Sequence, residues 1–279
     1  MSMTIRQALA KADLLTGISD TPRLDAELLL SHAIKCDKTH LYAWPDKPLQ
    51  PGHLKRYEQL LDRRAIGEPM AYILGQKEFW SLPIKVNSST LIPRPETECL
   101  VEKALQLLTV GSNLRVLDLG TGTGAIALAI ASERPLVEVT GCDIEPQAVA
   151  LAKANKAALA IDNVRFILSD WCLALSQPVD MIISNPPYID PEDPHLEQGD
   201  VRFEPRTALV SLNGGLADIQ SIATQAVELL KPQGWLLLEH GFTQGKAVRE
   251  ILRSAGFENI GTNPDLAGHE RITYGQKSR

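Results

Sequence analysis

Cysteine is scarce in this chain. Cys36, Cys99, Cys142 and Cys172 are the only four in 279 residues, and they are scattered. That excludes a disulfide framework and a cysteine-built zinc module, and it fits a reducing cytosol. Long hydrophobic runs are also missing. No stretch is apolar enough to span a bilayer, and Met1 to Leu15 has neither a long apolar core nor a small-residue cleavage signature. A cytoplasmic protein with no membrane partner is expected. Positive charge is in deficit: 28 Lys and Arg stand against 34 Asp and Glu, a net charge of −6. A protein that coats nucleic acid needs the reverse, so no direct nucleic-acid binding is expected. His, Cys and acidic residues nowhere cluster at ligand spacing, so no metal is expected. Internal repeats and low-complexity tracts are absent as well.

What is present is an ordinary globular composition, 44% hydrophobic and 22% charged, divided into two unlike segments. Residues 1–85 carry 12 Lys/Arg against 10 Asp/Glu, or +2, and residues 86–279 carry 16 against 24, or −8. The first segment reads as helical. Thr4 and Gln7 form a capping-box pattern ahead of Ala8, Leu9, Ala12 and Leu15 at helical spacing. Gly17 ends that helix, and Pro22 opens a second with Leu24, Leu28, Leu29 and Ile34. Thr39 to Ala43 forms a short third. Leu54, Tyr57, Leu60, Leu61 and Ile66 mark another, stopped by Gly67 and Pro69. Tyr72 to Gly75, Glu78 to Trp80 and Ile84 to Val86 then read as a β-hairpin around Ser81-Leu82-Pro83. The expected organisation is a helical substrate-recognition domain at 1–70, a hairpin linker at 71–90 and an α/β domain at 91–279.

The second segment alternates strands and helices. Arg94 and Glu96 lie in Leu91 to Thr97, which is either a loop able to close over a site or a helix N-terminus with Pro95 at its first position. Arg115 to Leu119 is a buried strand that runs into Gly120-Thr121-Gly122-Thr123-Gly124 and a helix. Such a loop lets a ligand approach the backbone and aims amide N–H groups at it. It lacks the Lys-Ser/Thr of a nucleoside-triphosphate loop and the spacing of a dinucleotide fingerprint. Asp118, two residues ahead, can order the loop or meet a cationic ligand. Asp143 ends the next strand, about 20 residues beyond the glycines, where an acid suits ribose hydroxyls. Asp170 and Trp171 end the third strand; one can accept from an adenine amino group and the other can stack on the ring, or Trp171 is a core aromatic. Asp190 to Arg206 is too long for a simple connector and reads as a lid or substrate platform. Glu239 and His240, at the end of a later strand, read as structural.

Asn185-Pro186-Pro187-Tyr188 follows the apolar strand Val179 to Ser184. Two prolines stop the ladder and leave Asn185 in a stiff loop at the strand's carboxyl end. That arrangement suits methyl transfer to a planar nitrogen, whose lone pair is withdrawn into a neighbouring π system. The Asn185 side-chain oxygen can accept one of its hydrogens and the Pro186 carbonyl the other, with Tyr188 against the flat face. An ordinary Asn-Pro turn is the alternative.

Asp118 to Gly124, a strand-end Asp143 and Asn185 to Tyr188, in that order, resemble the seven-stranded, Rossmann-like S-adenosylmethionine-dependent methyltransferases. Phe79-Trp80-Ser81-Leu82-Pro83, Leu91 to Thr97, Ser184 to Ile189, Asp193-Pro194-His195, Gly199 to Pro205 and Leu238 to Gly241 narrow this. With them the chain resembles the bacterial release factor glutamine methyltransferases (the PrmC or HemK family) over almost its whole length. The resemblance implies methylation of the glutamine N5 in the Gly-Gly-Gln loop of class I peptide release factors, in support of translation termination. It implies cofactor contacts from the glycine loop, Asp143 and Trp171, and glutamine contacts from Asn185 to Tyr188. Arg94 is a further candidate for the substrate side. Arg63 and Arg64 are candidate contacts to the release factor. A nucleic-acid adenine (N6) methyltransferase is the alternative, but it needs a basic target-reading region that +2 over residues 1–85 does not supply.

Overall fold

The computed structural model describes residues 3–279, which form two compact units. One comprises residues up to Gly75 together with Glu197–Phe203, and the other comprises Gln76–Leu196 with Glu204–Arg279.

The first unit is helical. Its helices are Ile5–Leu9, Pro22–Ile34, Lys38–Ala43, Pro51–Ala65 and Met70–Leu74, with a 3-10 turn at Ala10–Leu15. Thr4 caps the first helix through the reciprocal bonds expected of Thr4 and Gln7. The first helix tightens to 3-10 after Leu9, so the single helix read from the sequence is two short pieces. Leu9, Leu15, Leu29, Leu30, Tyr57 and Leu61 are almost wholly buried in one core. Arg64 is part of the interior: its Nε donates to Asp25 at 2.8 Å and its Nη1 to the Glu68 carbonyl at 3.0 Å. Arg63 pairs with Glu68. The expectation that Arg64 faces a partner is therefore corrected, because its charge is spent neutralising a buried aspartate.

The second unit opens with a hairpin, β1 (Gln76–Phe79) and β2 (Leu82–Lys85). Its turn is Trp80-Ser81, not Ser81-Leu82-Pro83, and both turn residues have positive φ, the backbone of a two-residue type I′ turn. Tyr72–Gly75 is not strand. It closes the short helix Met70–Leu74, which Gly75 ends in the left-handed conformation.

The main sheet contains β3 (Arg115–Leu119), β4 (Glu138–Asp143), β5 (Val164–Leu168), β6 (Val179–Ser184), β7 (Leu230–Glu239), β8 (Phe257–Pro264) and β9 (Glu270–Lys277). Their spatial order is β5-β4-β3-β6-β7-β9-β8. The first five run parallel, and β9 is antiparallel to β7 and β8. β3 and β6 are buried along nearly their whole length and mostly apolar, interrupted by Asp118 in one and Asp180 in the other. Leu117, Leu119, Ile182, Leu236 and Leu238 alternate into one cluster with helices Ala217–Leu229 and Gly245–Ser254. The chain winds outward from β3 through β4 to β5 and then returns to β6 on β3's other side. That reversal opens a crevice at the carboxyl ends of β3 and its neighbours, where ligands bind in open α/β sheets.

Candidate active site

Gly120, Gly122 and Gly124 follow β3 with φ of 66°, 52° and 82°, a run that side chains resist. At Gly124 an added Cβ would also stand 2.8 Å from the Phe166 ring. Two carboxylates hold the loop's shape. Asp118, fully buried, accepts from the Thr121 hydroxyl at 2.5 Å. Asp143 accepts from the Gly122 amide at 2.8 Å through one oxygen and from the Glu145 amide at 2.9 Å through the other. Burial pushes Asp118 up to about 7 and raises Asp143 as well. From the far side, Asn155 donates to the Thr123 carbonyl at 2.9 Å and exchanges two bonds with the Lys85 backbone. Asn155 escaped the sequence reading. Its signal was a polar residue on the inward stripe Ala148, Val149, Ala152 of helix Pro146–Leu159, where it is wholly buried.

A cavity of about 410 Å³ lies at these strand ends. Gly120 to Thr123, Asp143, Asp170 and Trp171 line it together with Arg94, Thr97, Asn185 and Pro187. Every one of these residues belongs to the second unit. Trp171 packs beside Gly120 at the cavity wall while also touching the apolar cluster of the sheet. Residues without a motif complete the wall: Ile144, Thr207, Ala208 and Val210. Ile144 had a signal, since a large apolar side chain left 60% exposed at a strand end needs a partner. Thr207 to Val210 had none; the bond from the Ile189 amide to the Leu209 carbonyl, 2.9 Å, brings them there.

Four candidates from the sequence do not line the cavity: Asp118, Gly124, Pro186 and Tyr188. Asp118 and Gly124 shape the loop from beneath. The Tyr188 ring packs against the apolar cluster and its hydroxyl donates to Glu239 Oε1 at 3.4 Å, so it does not lie open to a flat substrate as expected. Arg94 reaches the cavity wall but is tied to Glu204 at 2.5 Å. Glu204 also accepts from the Ile92 amide, which fixes the Leu91–Thr97 segment in place. Asn185 turns its side-chain amide nitrogen inward, donating to the Thr97 hydroxyl oxygen at 3.2 Å. That leaves its oxygen as the end available at the cavity.

Among the described residues no group of His, Cys, Asp and Glu is arranged to hold a metal, and no helix is long and apolar enough to cross a membrane.

Known proteins place these features. The PrmC N-terminal domain model matches residues 5–75, and a methyltransferase domain model matches residues 111–261. The release factor glutamine methyltransferase of Vibrio cholerae is 54% identical over 280 residues, 99% of this chain and 98% of that protein. Its counterpart in Escherichia coli K12 is 51% identical over 259 residues, 92% and 93% of the two chains. A solved methyltransferase from Pyrococcus furiosus shares the fold, with a TM-score of 0.55 and 17% identity over 81% of this chain and 99% of that one. A glycine loop and an Asn-Pro-Pro-Tyr loop on one cavity, a helical unit ahead of them and this identity over nearly the full length lead to one statement: the chain belongs to the release factor glutamine methyltransferase family.

Proposed function

We propose that the protein transfers a methyl group from S-adenosyl-L-methionine to the side-chain amide nitrogen (N5) of the glutamine in the Gly-Gly-Gln loop of class I release factors, in support of translation termination. The observation that carries this reading is that one cavity is lined at once by the glycine loop with Asp143 and by Asn185. Cofactor and amide can therefore meet without water between them.

The residues fit the cofactor. A volume of about 410 Å³ suits a nucleoside-sized ligand. The glycine loop offers close backbone approach, Asp143 would hold the ribose hydroxyls, and Asp170 and Trp171 would hold the adenine. Both Asp143 oxygens already accept one amide each, and each keeps a lone pair for a hydroxyl. Bound there, the cofactor supplies an electrophilic methyl group on a sulfonium.

The chain's own part is to grip the substrate amide. Asn185 Oδ1 accepts one amide hydrogen; we assign the other to the carbonyl of Pro186, which does not itself line the cavity but joins Asn185 and Pro187, which do, and the two acceptors together fix the amide plane. As positive charge grows on the nitrogen, both acceptors bind it more strongly, so they favour the transition state over the ground state. Positioning and exclusion of water do most of the work, and the cationic amide then loses its proton to solvent. The helical unit has no catalytic constellation, and we assign it to recognition of the release factor body.

Incubation with radiolabelled cofactor and, separately, each class I release factor or duplex DNA tests the reading. Label is expected in the release factor and in the Gly-Gly-Gln peptide after digestion; label in DNA alone would discard it. Asp143→Ala is expected to weaken cofactor binding by about 1.5–3 kcal/mol, as charge-assisted bonds and an ordered loop amide are lost together. Calorimetry giving native affinity would remove Asp143 from the site.

A further inference from the structure

The two acceptors assigned to the substrate amide, Asn185 Oδ1 and the Pro186 carbonyl, can meet it together only if their loop keeps one backbone course. Thr97 holds Asn185 at the start of that loop. The next two residues are prolines, which fix φ. The direction in which the loop leaves at Tyr188 is set from another element, by Gln244.

Gln244 stands at the N-cap of helix Gly245–Ser254, 56 positions from Tyr188. Ser, Thr, Asp or Asn is preferred at a helix start, and the Gln244 side chain makes no cap bond. Its amide is engaged elsewhere at both ends. Nε2 donates to the Tyr188 carbonyl at 3.0 Å and to the Gly214 carbonyl at 3.0 Å, and Oε1 accepts from the Gly241 amide at 2.8 Å. Carbonyls only accept and an N–H only donates, so these three partners allow one orientation of the side chain. The backbone around it is shaped to admit it. Asn213, Gly214 and Gly215 have successive φ of 55°, 67° and 80°, a course that persists only where its surroundings hold it. At Gly215 a Cβ would stand 2.0 Å from the Tyr188 carbonyl oxygen and 2.7 Å from Gln244 Nε2. On the other side, the Gly241 carbonyl accepts from the Gln244 backbone amide at 2.8 Å and from Nδ1 of the buried His240 at 2.9 Å. His240 Nε2 in turn accepts from the Thr273 hydroxyl at 2.8 Å. His240, read from the sequence as structural, therefore holds the turn that seats Gln244. All of these residues belong to the second unit.

We propose that Gln244 is a positioning residue for the methyl transfer. By gripping the Tyr188 carbonyl it fixes the course of the loop that presents Asn185 Oδ1 and the Pro186 carbonyl. Gln244 does not line the cavity, so it acts through the loop and not on the substrate. With Asn185 tied to Thr97 and Tyr188 tied to Gln244, few free torsions are left between the two bonds. Without Gln244, the Tyr188 carbonyl must turn to find another donor, and the Pro186 carbonyl, two residues upstream, turns with it. This inference rests on Asn185 and Pro186 gripping the substrate amide, as proposed above.

The test uses the full chain with S-adenosylmethionine and intact release factor. Gln244→Ala is expected to lower kcat by about 10–10²-fold, the effect of a small misplacement made away from the chemistry. KM for the release factor, and cofactor Kd by calorimetry, are expected close to native. Gln244→Glu fills the same space and keeps an acceptor for the Gly241 amide, but its carboxylate has no hydrogen for either carbonyl. Its loss of kcat is expected to be as large, and it carries the test if Gln244→Ala does not fold. A residue that only packs would leave Gln244→Glu at the native rate, and that outcome overturns the proposal. So does a lowered Tm with native kcat in the folded fraction, or a loss confined to KM or to cofactor Kd. Asn185→Ala separates the two levels. If it is inactive while both Gln244 variants turn over normally, only the positioning role is wrong. If Asn185→Ala turns over at the native rate, the acceptor role itself is wrong and the role of Gln244 falls with it.

Discussion

Asn185→Ala is expected to reduce turnover by about 10²–10³-fold, the scale seen when one preorganised hydrogen-bonding partner of a developing charge is deleted. Cofactor affinity should stay near native, because the glycine loop and Asp143 are held by their own bonds and not by Asn185. The loss should appear in kcat more than in KM, since the interaction strengthens as charge moves onto the amide nitrogen. Asn185→Asp retains an acceptor but brings a negative charge near the sulfonium, which steadies the starting cation as well as the transition state. Partial activity is the expected outcome. Single-turnover rates with saturating cofactor would decide the matter, and a native rate for Asn185→Ala would refute the mechanism.

The second large effect concerns the helical unit. A glutamine in a flexible loop gives an enzyme little to recognise beyond its amide, so selectivity must come from contacts far from the chemistry, and those contacts also hold the loop in place. A chain beginning at Gln76 retains the hairpin, the sheet and every residue that lines the cavity. It is expected to bind cofactor and yet to methylate intact release factor about 10–10²-fold more slowly, from lost positioning. A short Gly-Gly-Gln peptide should be a poor substrate for both forms alike. Equal rates on intact release factor, with the shortened chain shown by circular dichroism to be folded, would end the docking idea. Arg64 has no place among the docking contacts, because it is closed inside the unit against Asp25.

Much of this could be read from the sequence where the signal is local. The glycine loop, Asp143 and Asn185 each sit next to a strand end, and a buried strand followed by a loop dictates its own backbone geometry. The alternation of strands and helices announced an α/β domain and the resemblance implied seven strands, while their order in the sheet was not read from the sequence. Other features are not local. Asn185 and Thr97 lie 88 positions apart, and Tyr188 and Glu239 lie 51 apart; nothing near any of the four says which donor meets which acceptor. The hairpin turn was misplaced for a different reason. A type I′ turn is normally announced by Asn-Gly or Asp-Gly, and here Trp80 and Ser81 adopt positive φ instead. The Trp80 amide is bonded to Glu98 and its indole to Glu133, contacts that hold a backbone those residues would not choose alone. Pro83 drew the turn toward itself in the sequence reading, yet it sits within β2.

The carboxyl group of Asp118, sealed beneath the glycine loop, makes the native state a proton sink. In the unfolded chain that group titrates near 3.8, and in the folded protein burial pushes it up to about 7. Between those values the native state holds a proton that the unfolded chain releases, so the stability contributed by this group is complete below 3.8 and is lost as pH climbs toward 7. Asp118→Asn removes the titration and keeps an oxygen for the Thr121 hydroxyl. Urea denaturation at pH 5 and pH 8 should therefore show native protein losing more stability across that interval than the variant does. An identical change in both would mean that the Asp118 proton is not linked to folding. If the linkage holds, the loop that cradles the cofactor rests on a group whose charge state changes close to neutrality, and acidity tightens the floor of the site.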